Sequence, residues 1–321
     1  MFFKLASATV LALSLGALFP STQAKAQTGN IVLYTSHAAD TTGPVLELMK
    51  QRMPNLSVTL VRAGTGEILQ RLKAEASNSA ADIMWGGATQ LFENNADLFQ
   101  AFVSPESPNF IVADPANLWH ASNIIAIVIA VNTKRITPAD TPTTTSAALN
   151  PQYTALGGIA LPEPSKSSTG YTVTSALAAG HGWDFVGRIA KTARVLPSSG
   201  AAANAARDGE TAMCWVNEDV TAKWEKEGLA IKSVYPTDGV PTVVDAQAIV
   251  KGAKNLENAK TVMGFFNTKE VHETMRDKVN RRSARKDVTP PPGLPELGNL
   301  KLLFAVEPAS VVNARFDALR K

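Results

Sequence analysis

Eight consecutive residues, 124–131, are apolar with no polar alternation, and six of them are β-branched. Such a run reads as a strand buried on both faces. A strand of that kind needs a covering layer on each side. The neighbouring sequence supplies one, because short apolar runs alternate with segments of helical periodicity. That order is the mark of an α/β protein with largely parallel sheets.

Ile31-Val32-Leu33-Tyr34 reads as a strand ending at Thr35-Ser36-His37. A helix is predicted from about Thr42, with Pro44 in its first turn, where a missing N–H costs nothing. Residues 58–61 give a second strand, followed by Ala63-Gly64-Thr65-Gly66 and a helix carrying Ile68, Leu69 and Leu72. Residues 82–85 give a third, ending in Gly86-Gly87. Later strands are expected at 158–161, 212–216, 231–234 and 247–250. The strand at 158–161 runs into Pro164-Ser165-Lys166-Ser167-Ser168-Thr169-Gly170, with a helix from Tyr171 stopped by Gly180. Small, hydroxyl-bearing or glycine-rich turns thus recur at the carboxyl ends of strands, the edge at which open α/β sheets bind ligands.

The N-terminus reads as a secretory signal peptide over residues 1–26. Lys4 supplies the positive charge, residues 5–19 the apolar stretch, and Ala24-Lys25-Ala26 a small-x-small cleavage site. The apolar stretch is shorter than the roughly 20 residues of a spanning helix. A formal net charge of +3 leaves no nucleic-acid footprint. The single cysteine, Cys214, forms no internal disulfide and sits in an apolar stretch as a buried thiol. Cofactor sites are not expected, since the glycine turns lack the dinucleotide spacing and no P-loop lysine motif is present.

Val32-Leu33-Tyr34-Thr35-Ser36-His37, Val61-Arg62-Ala63-Gly64-Thr65-Gly66-Glu67, Ala81-Asp82-Ile83-Met84-Trp85-Gly86-Gly87, the loop 164–170 and Gly209-Glu210-Thr211-Ala212-Met213 occur in that order. Together they resemble the periplasmic solute-binding proteins of ABC importers, in the ferric-ion-binding cluster whose branches also take phosphorylated small molecules. The resemblance implies a two-lobed α/β fold of type II, with two crossovers and a ligand cleft between the lobes. It places one lobe at 27–125 plus 247–321, with the C-terminal tail packed on it, and the other at 126–246. It further implies a monomer in the periplasm that hands a small anionic ligand to an ABC permease in the inner membrane, without enzymatic activity.

Iron-binding members hold ferric ion with tyrosine oxygens near the strand equivalent to 212–216, and this chain has Glu218-Asp219-Val220 there. The residues fit an organic anion better. Ser167, Ser168, Thr169 and Gly170 gather hydroxyls and N–H groups at a helix N-terminus, which favours a phosphate or phosphonate. Ser36, His37, Thr65, Gly66 and Gly87 are candidates from the facing lobe. Glu218 and Asp219 suit the opposite end, accepting hydrogen bonds from sugar hydroxyls or pairing with an ammonium group. The alternative for Ser168 and Thr169 is plain helix capping, and capping explains Thr65 and Gly66 almost as well as ligand binding does. Among the tryptophans Trp85 is the candidate cleft aromatic, and the basic run Arg281-Arg282-Ser283-Ala284-Arg285-Lys286 is either a solvated face or an anion contact. Three other readings stay open: a ferric iron carrier, a sensor subunit, and a secreted hydrolase. The hydrolase would call for a Gly-x-Ser-x-Gly elbow or clustered metal ligands, and neither is present in the sequence.

Overall fold

The computed structural model describes residues 28–321, so the expected signal peptide lies outside the described residues. The first lobe begins with β1 (Gly29–Thr35), α1 (Ala39–Arg52), β2 (Leu56–Arg62), α2 (Thr65–Ala74), β3 (Ile83–Ala88), α3 (Thr89–Glu93) and β4 (Phe99–Gln100). β5 (His120–Asn132) carries the chain across. The second lobe holds α4 (Thr145–Ala148), β6 (Ile159–Pro162), α5 (Ser168–His181), α6 (Trp183–Thr192), β7 (Arg194–Leu196), α7 (Ser199–Arg207), β8 (Met213–Asn217), α8 (Glu218–Lys226) and β9 (Ile231–Val234). β10 (Val240–Val250) returns the chain to α9 (Leu256–Phe266), α10 (Lys269–Val279) and β11 (Arg282–Ser283). β12 (Leu302–Phe304) and α11 (Ala309–Arg320) complete it.

The sheet follows the path β2-β1-β3-β10-β5-β8-β6-β7. It is parallel within each lobe, where β1 pairs with β2 and β3, and β6 with β7 and β8. It is antiparallel at the junction, where β10 pairs with β3 and β5, and β5 pairs with β8. Along β5 the partner changes: Asn123 to Ala126 face β10, and Ile127 to Val131 face β8. The two crossing strands therefore lie side by side where the lobes join.

The unalternated run in β5 is explained by its two covered faces. Ile127, Ile129 and Val131 pack with Leu161, Val173, Phe185 and Trp215. Val128 and Ala130 pack on the other face with Ala202, Cys214 and Trp224. Each fully buried Ile or Val contributes about 1.5–3 kcal/mol. The first lobe is layered the same way, with α1, α9 and α10 over Leu33 and Ile83, and α2 and α3 over Tyr34 and Met84.

Several expected boundaries move. α1 starts at Ala39, so Pro44 lies inside the helix and leaves the Asp40 carbonyl without its helical N–H partner. α5 starts at Ser168 and runs through Gly180, ending at Gly182, whose φ of +82° stops it. β3 continues through Gly86 and Gly87 to Ala88. The C-terminal tail departs from its expected place on the first lobe: Phe316 of α11 is buried in the second lobe's core beside Phe185 and Ile189, and β12 extends the near end of β10. Ala305 and Val312 nevertheless join the cluster that holds Tyr34 and Met84 of the first lobe. Trp85 is a core residue, buried and stacked on Phe266 at 4.7 Å, so the cleft aromatic expected there is absent from that position. Cys214 is fully buried, and burial pushes its thiol pKa far up.

Candidate functional site

A cavity of about 650 Å³ opens between the lobes at the carboxyl ends of the strands. It is lined by Ser36, His37, Thr65, Gly87, Ser167, Ser168, Thr169 and Asp219 among the residues singled out in the sequence. Gly66, Gly170 and Glu218 are not in its wall.

Two helix N-termini meet on the second-lobe side. Ser167 caps α5, its Oγ accepting the Gly170 N–H at 3.3 Å. Ser198 caps α7, its Oγ accepting the Ala201 N–H at 3.1 Å. Ser167 Oγ and Ser199 Oγ lie 2.7 Å apart, which joins the two first turns. The positive ends of both helix dipoles therefore face one region of the cavity. Lys166 stands beside it, with no hydrogen bond or ion pair from its ammonium among the described residues. Thr169 Oγ1 donates to Asn217 Oδ1, and Ser168 Oγ accepts the Ala88 N–H of the facing lobe at 2.9 Å.

The opposite side is a buried polar chain. Thr35 Oγ1 accepts the His37 N–H and so fixes the residue at the end of β1. Arg281 NH1 donates to His37 Nδ1 at 3.2 Å, and Arg281 Nε donates to Asp219 Oδ2 at 3.1 Å. Burial, with Arg281 adding to it, pushes the His37 pKa well below its ordinary value, so the ring is neutral. A guanidinium donates only, which makes Nδ1 an acceptor and leaves the ring proton on Nε2. Nε2 lies 3.3 Å from Asp245 Oδ2, a contact between a neutral imidazole and a carboxyl group rather than an ion pair. Asp245 Oδ1 accepts the Gly87 N–H at 2.6 Å. A register shift in β10 at Asp245 turns this side chain into the cleft. Burial raises its pKa to about 6 against the opposing pull of Arg281. Asp219 Oδ1 is buried without a partner. Gly86 is required here, since its φ is +101° and a Cβ would come within 2.7 Å of His37 Nε2.

The three residues left outside the wall have other duties. Glu218 forms a buried ion pair with Arg282 at 2.7 Å and accepts the Tyr235 hydroxyl at 2.8 Å, so its charge is already satisfied away from the cavity. Gly66 donates its N–H to Lys166 O at 3.3 Å, and a Cβ there would collide with Ser165 O. Gly170 sits against Pro162 O, where a Cβ would approach to 2.2 Å.

Sequence reasoning missed Asp245, Ser198, Ser199, Lys166 and most of the basic lining. Arg62, Lys166, Arg207, Lys223, Lys278 and Arg281 line the cavity against the carboxylates Asp40, Asp219 and Asp245. The basic run at 281–286 divides: Arg281 faces the cavity, Arg282 pairs with Glu218, and Arg285 pairs with Glu106 and Asp287. Lys223 of α8 also reaches across the mouth to Asp40 of α1 at 2.7 Å.

Comparison with known proteins agrees with this architecture. The periplasmic binding protein AfuA from Actinobacillus pleuropneumoniae, solved with fructose-6-phosphate, is 22% identical, with a TM-score of 0.81 over 92% of this chain and 97% of that one. The substrate-binding protein of an ABC transporter from Agrobacterium tumefaciens is 18% identical, with a TM-score of 0.81 over 94% and 97%. Iron-bound HitA from Pseudomonas aeruginosa is 19% identical, with a TM-score of 0.76 over 90% and 99%. No curated protein sequence matches. The fold is thus the two-lobed type II binding-protein fold that the sequence resemblance implied. A family model described as "Bacterial extracellular solute-binding protein" matches residues 88–294, and the chain belongs to that family.

Proposed function

We propose that the protein captures a small phosphorylated or phosphonate anion in this cleft, as a periplasmic monomer, and delivers it to an ABC permease. The observation that carries the reading is the meeting of the α5 and α7 N-termini at Ser167 and Ser199 beside the unpaired Lys166. Converging N–H groups, hydroxyls and an ammonium group favour a phosphate-like oxyanion. Asp219, with its unpartnered Oδ1 across the cavity, suits a hydroxyl or ammonium group at the ligand's other end. Ser36, His37, Thr65, Ser168 and Thr169 complete the contacts. A ligand touching both lobes favours their closure by the free energy of those contacts, with the lobes joined where β5 changes partner near Ala126.

The relatives differ in cargo, one holding fructose-6-phosphate and another iron. The chemistry of this cavity favours the first kind. Hard ferric ion calls for several anionic oxygen donors, yet no tyrosine lines the cavity, and its carboxylates Asp40 and Asp219 are paired with Lys223 and Arg281. All four tyrosines of the chain donate their hydroxyls elsewhere: Tyr34 to Glu75, Tyr153 to Asp140 O, Tyr171 to Glu307 O and Tyr235 to Glu218.

The test is native mass spectrometry of protein exported by a bacterial host, with N-terminal sequencing of the same sample. A mature chain beginning at Gln27 with a phosphorus-containing small molecule bound is expected. A bound metal, or a chain retaining residues 1–26, contradicts the proposal.

A further inference from the structure

The guanidinium of Arg281 is enclosed by three groups of the kind that bind metals. Nε donates to Asp219 Oδ2 at 3.1 Å, NH1 donates to His37 Nδ1 at 3.2 Å, and NH1 lies 3.8 Å from Asp245 Oδ2. His37, Asp219, Asp245 and Arg281 are each at most 6% exposed. The three donors come from separate parts of the chain: the end of β1, the first turn of α8 and the shifted register of β10. One imidazole lone pair and two carboxylates gathered around one guanidinium are the donor types of a divalent first-row cation site, with the guanidinium at its centre. Here that centre is filled by a covalently tethered cation. Among the described residues no three such groups stand ready to hold a metal.

We propose that Arg281 is a specificity-determining residue that keeps metal cations out of the cleft, by occupying the place among His37, Asp219 and Asp245 that a metal ion would take. Two effects act together. The guanidinium uses the His37 Nδ1 lone pair and one Asp219 oxygen as acceptors, so neither is free to coordinate. Its fixed charge also repels a second cation in a site with little water to screen it. Asp245 remains within reach on the far side. Removing the guanidinium frees His37 Nδ1 and Asp219 Oδ2 beside Asp245, and closing to metal–ligand distances of about 2.0–2.2 Å needs shifts of roughly 1 Å for the first two and about 2 Å for Asp245. The same removal leaves Lys166 and the serines of α5 and α7 in place, since none of them bonds to Arg281.

Zinc chloride titrated by calorimetry into chelator-stripped protein, in a phosphate-free buffer, tests this directly. The proteins are the wild type, Arg281→Ala, Arg281→Met and the double variant Arg281→Ala with His37→Ala. The methionine variant keeps the aliphatic volume and serves if the alanine variant folds poorly by circular dichroism. Expected is one new zinc site in the Arg281 variants, at least about 100-fold tighter than any zinc binding by the wild type, and its loss in the double variant. Equal zinc binding by wild type and Arg281 variants overturns the proposal, as does a gain that survives His37→Ala. Metal exclusion does not depend on which anion the cleft takes. A wild type that binds no phosphorylated compound would therefore sink the proposed cargo while leaving the zinc result intact.

Discussion

Ser167 Oγ and Ser199 Oγ stand 2.7 Å apart and tie the first turn of α5 to the first turn of α7. Two helix N-termini, from segments about 30 residues apart in sequence, are thereby aimed at one place, and the proposed anion subsite rests on that doubling. Replacing Ser199 by Ala removes a hydroxyl contact without removing a cap, because Ser198 caps α7. The expected result is a loss of affinity for the phosphorylated ligand of about 5–10-fold, in line with roughly 1 kcal/mol per hydrogen bond. Isothermal titration calorimetry measures it, and the unfolding midpoint should fall by only about 2 °C for the lost Ser167–Ser199 hydrogen bond.

Lys166 gives a sharper separation of binding from stability. Its ammonium has no partner among the described residues, so Lys166→Met should leave the unliganded protein as stable as the wild type. A charge-assisted bond to an oxyanion contributes about 1.5–3 kcal/mol, so affinity should fall by roughly 10–100-fold. Affinity measured at two salt concentrations should also show a smaller salt dependence in the variant.

Glu218 behaves in the opposite way. Its carboxylate is buried against Arg282 and Tyr235, and removing it strands the guanidinium. Glu218→Ala should cost about 3–5 kcal/mol of stability, lowering the melting temperature by about 10 °C. Ligand affinity of the protein that remains folded should change little. A large loss of affinity with unchanged stability would return Glu218 to the binding site.

Much of the frame was legible in the sequence because β-sheet burial and helix capping are local. The run 124–131 announced a strand covered on both faces, and β5 is that strand. The cluster Ser167, Ser168 and Thr169 announced a helix start, which the structure moves three residues earlier, to Ser168. The misread parts are long-range. Nothing near Glu218 in sequence reveals Arg282, 64 residues on, so its charge looked available to a ligand. Arg281 was hidden in a basic run whose members turn out to face three different partners. Asp245 sits in the middle of β10, where only the irregular register turns it toward the cleft.

The raised pKa of Asp245 yields a prediction for stability against pH. Its folded value of about 6 lies above the ordinary 3.8, so the folded state prefers the protonated carboxyl. The contribution of Asp245 is thus most favourable below about pH 4 and is lost as pH rises through about 6. Asp245→Asn, which keeps an acceptor for the Gly87 N–H, should be the more stable protein above pH 6, by an amount on the order of 3 kcal/mol. The advantage should vanish near pH 4. Burial depresses His37, His120 and His272, which act in the opposite sense. The difference between the two proteins in urea unfolding, taken from pH 4 to pH 8, isolates Asp245.

The capture of a phosphate-bearing anion is tested most directly by thermal unfolding of refolded, ligand-stripped protein. The panel holds hexose phosphates, phosphoglycerates, aminoethylphosphonate, inorganic phosphate and ferric citrate. A ligand at 100 times its dissociation constant stabilises the native state by about 2.7 kcal/mol, a rise of roughly 5 °C for a chain of this size. The account predicts such a rise with a phosphorylated or phosphonate compound, reduced in Lys166→Met, and none with iron. A rise with ferric ion alone would contradict it.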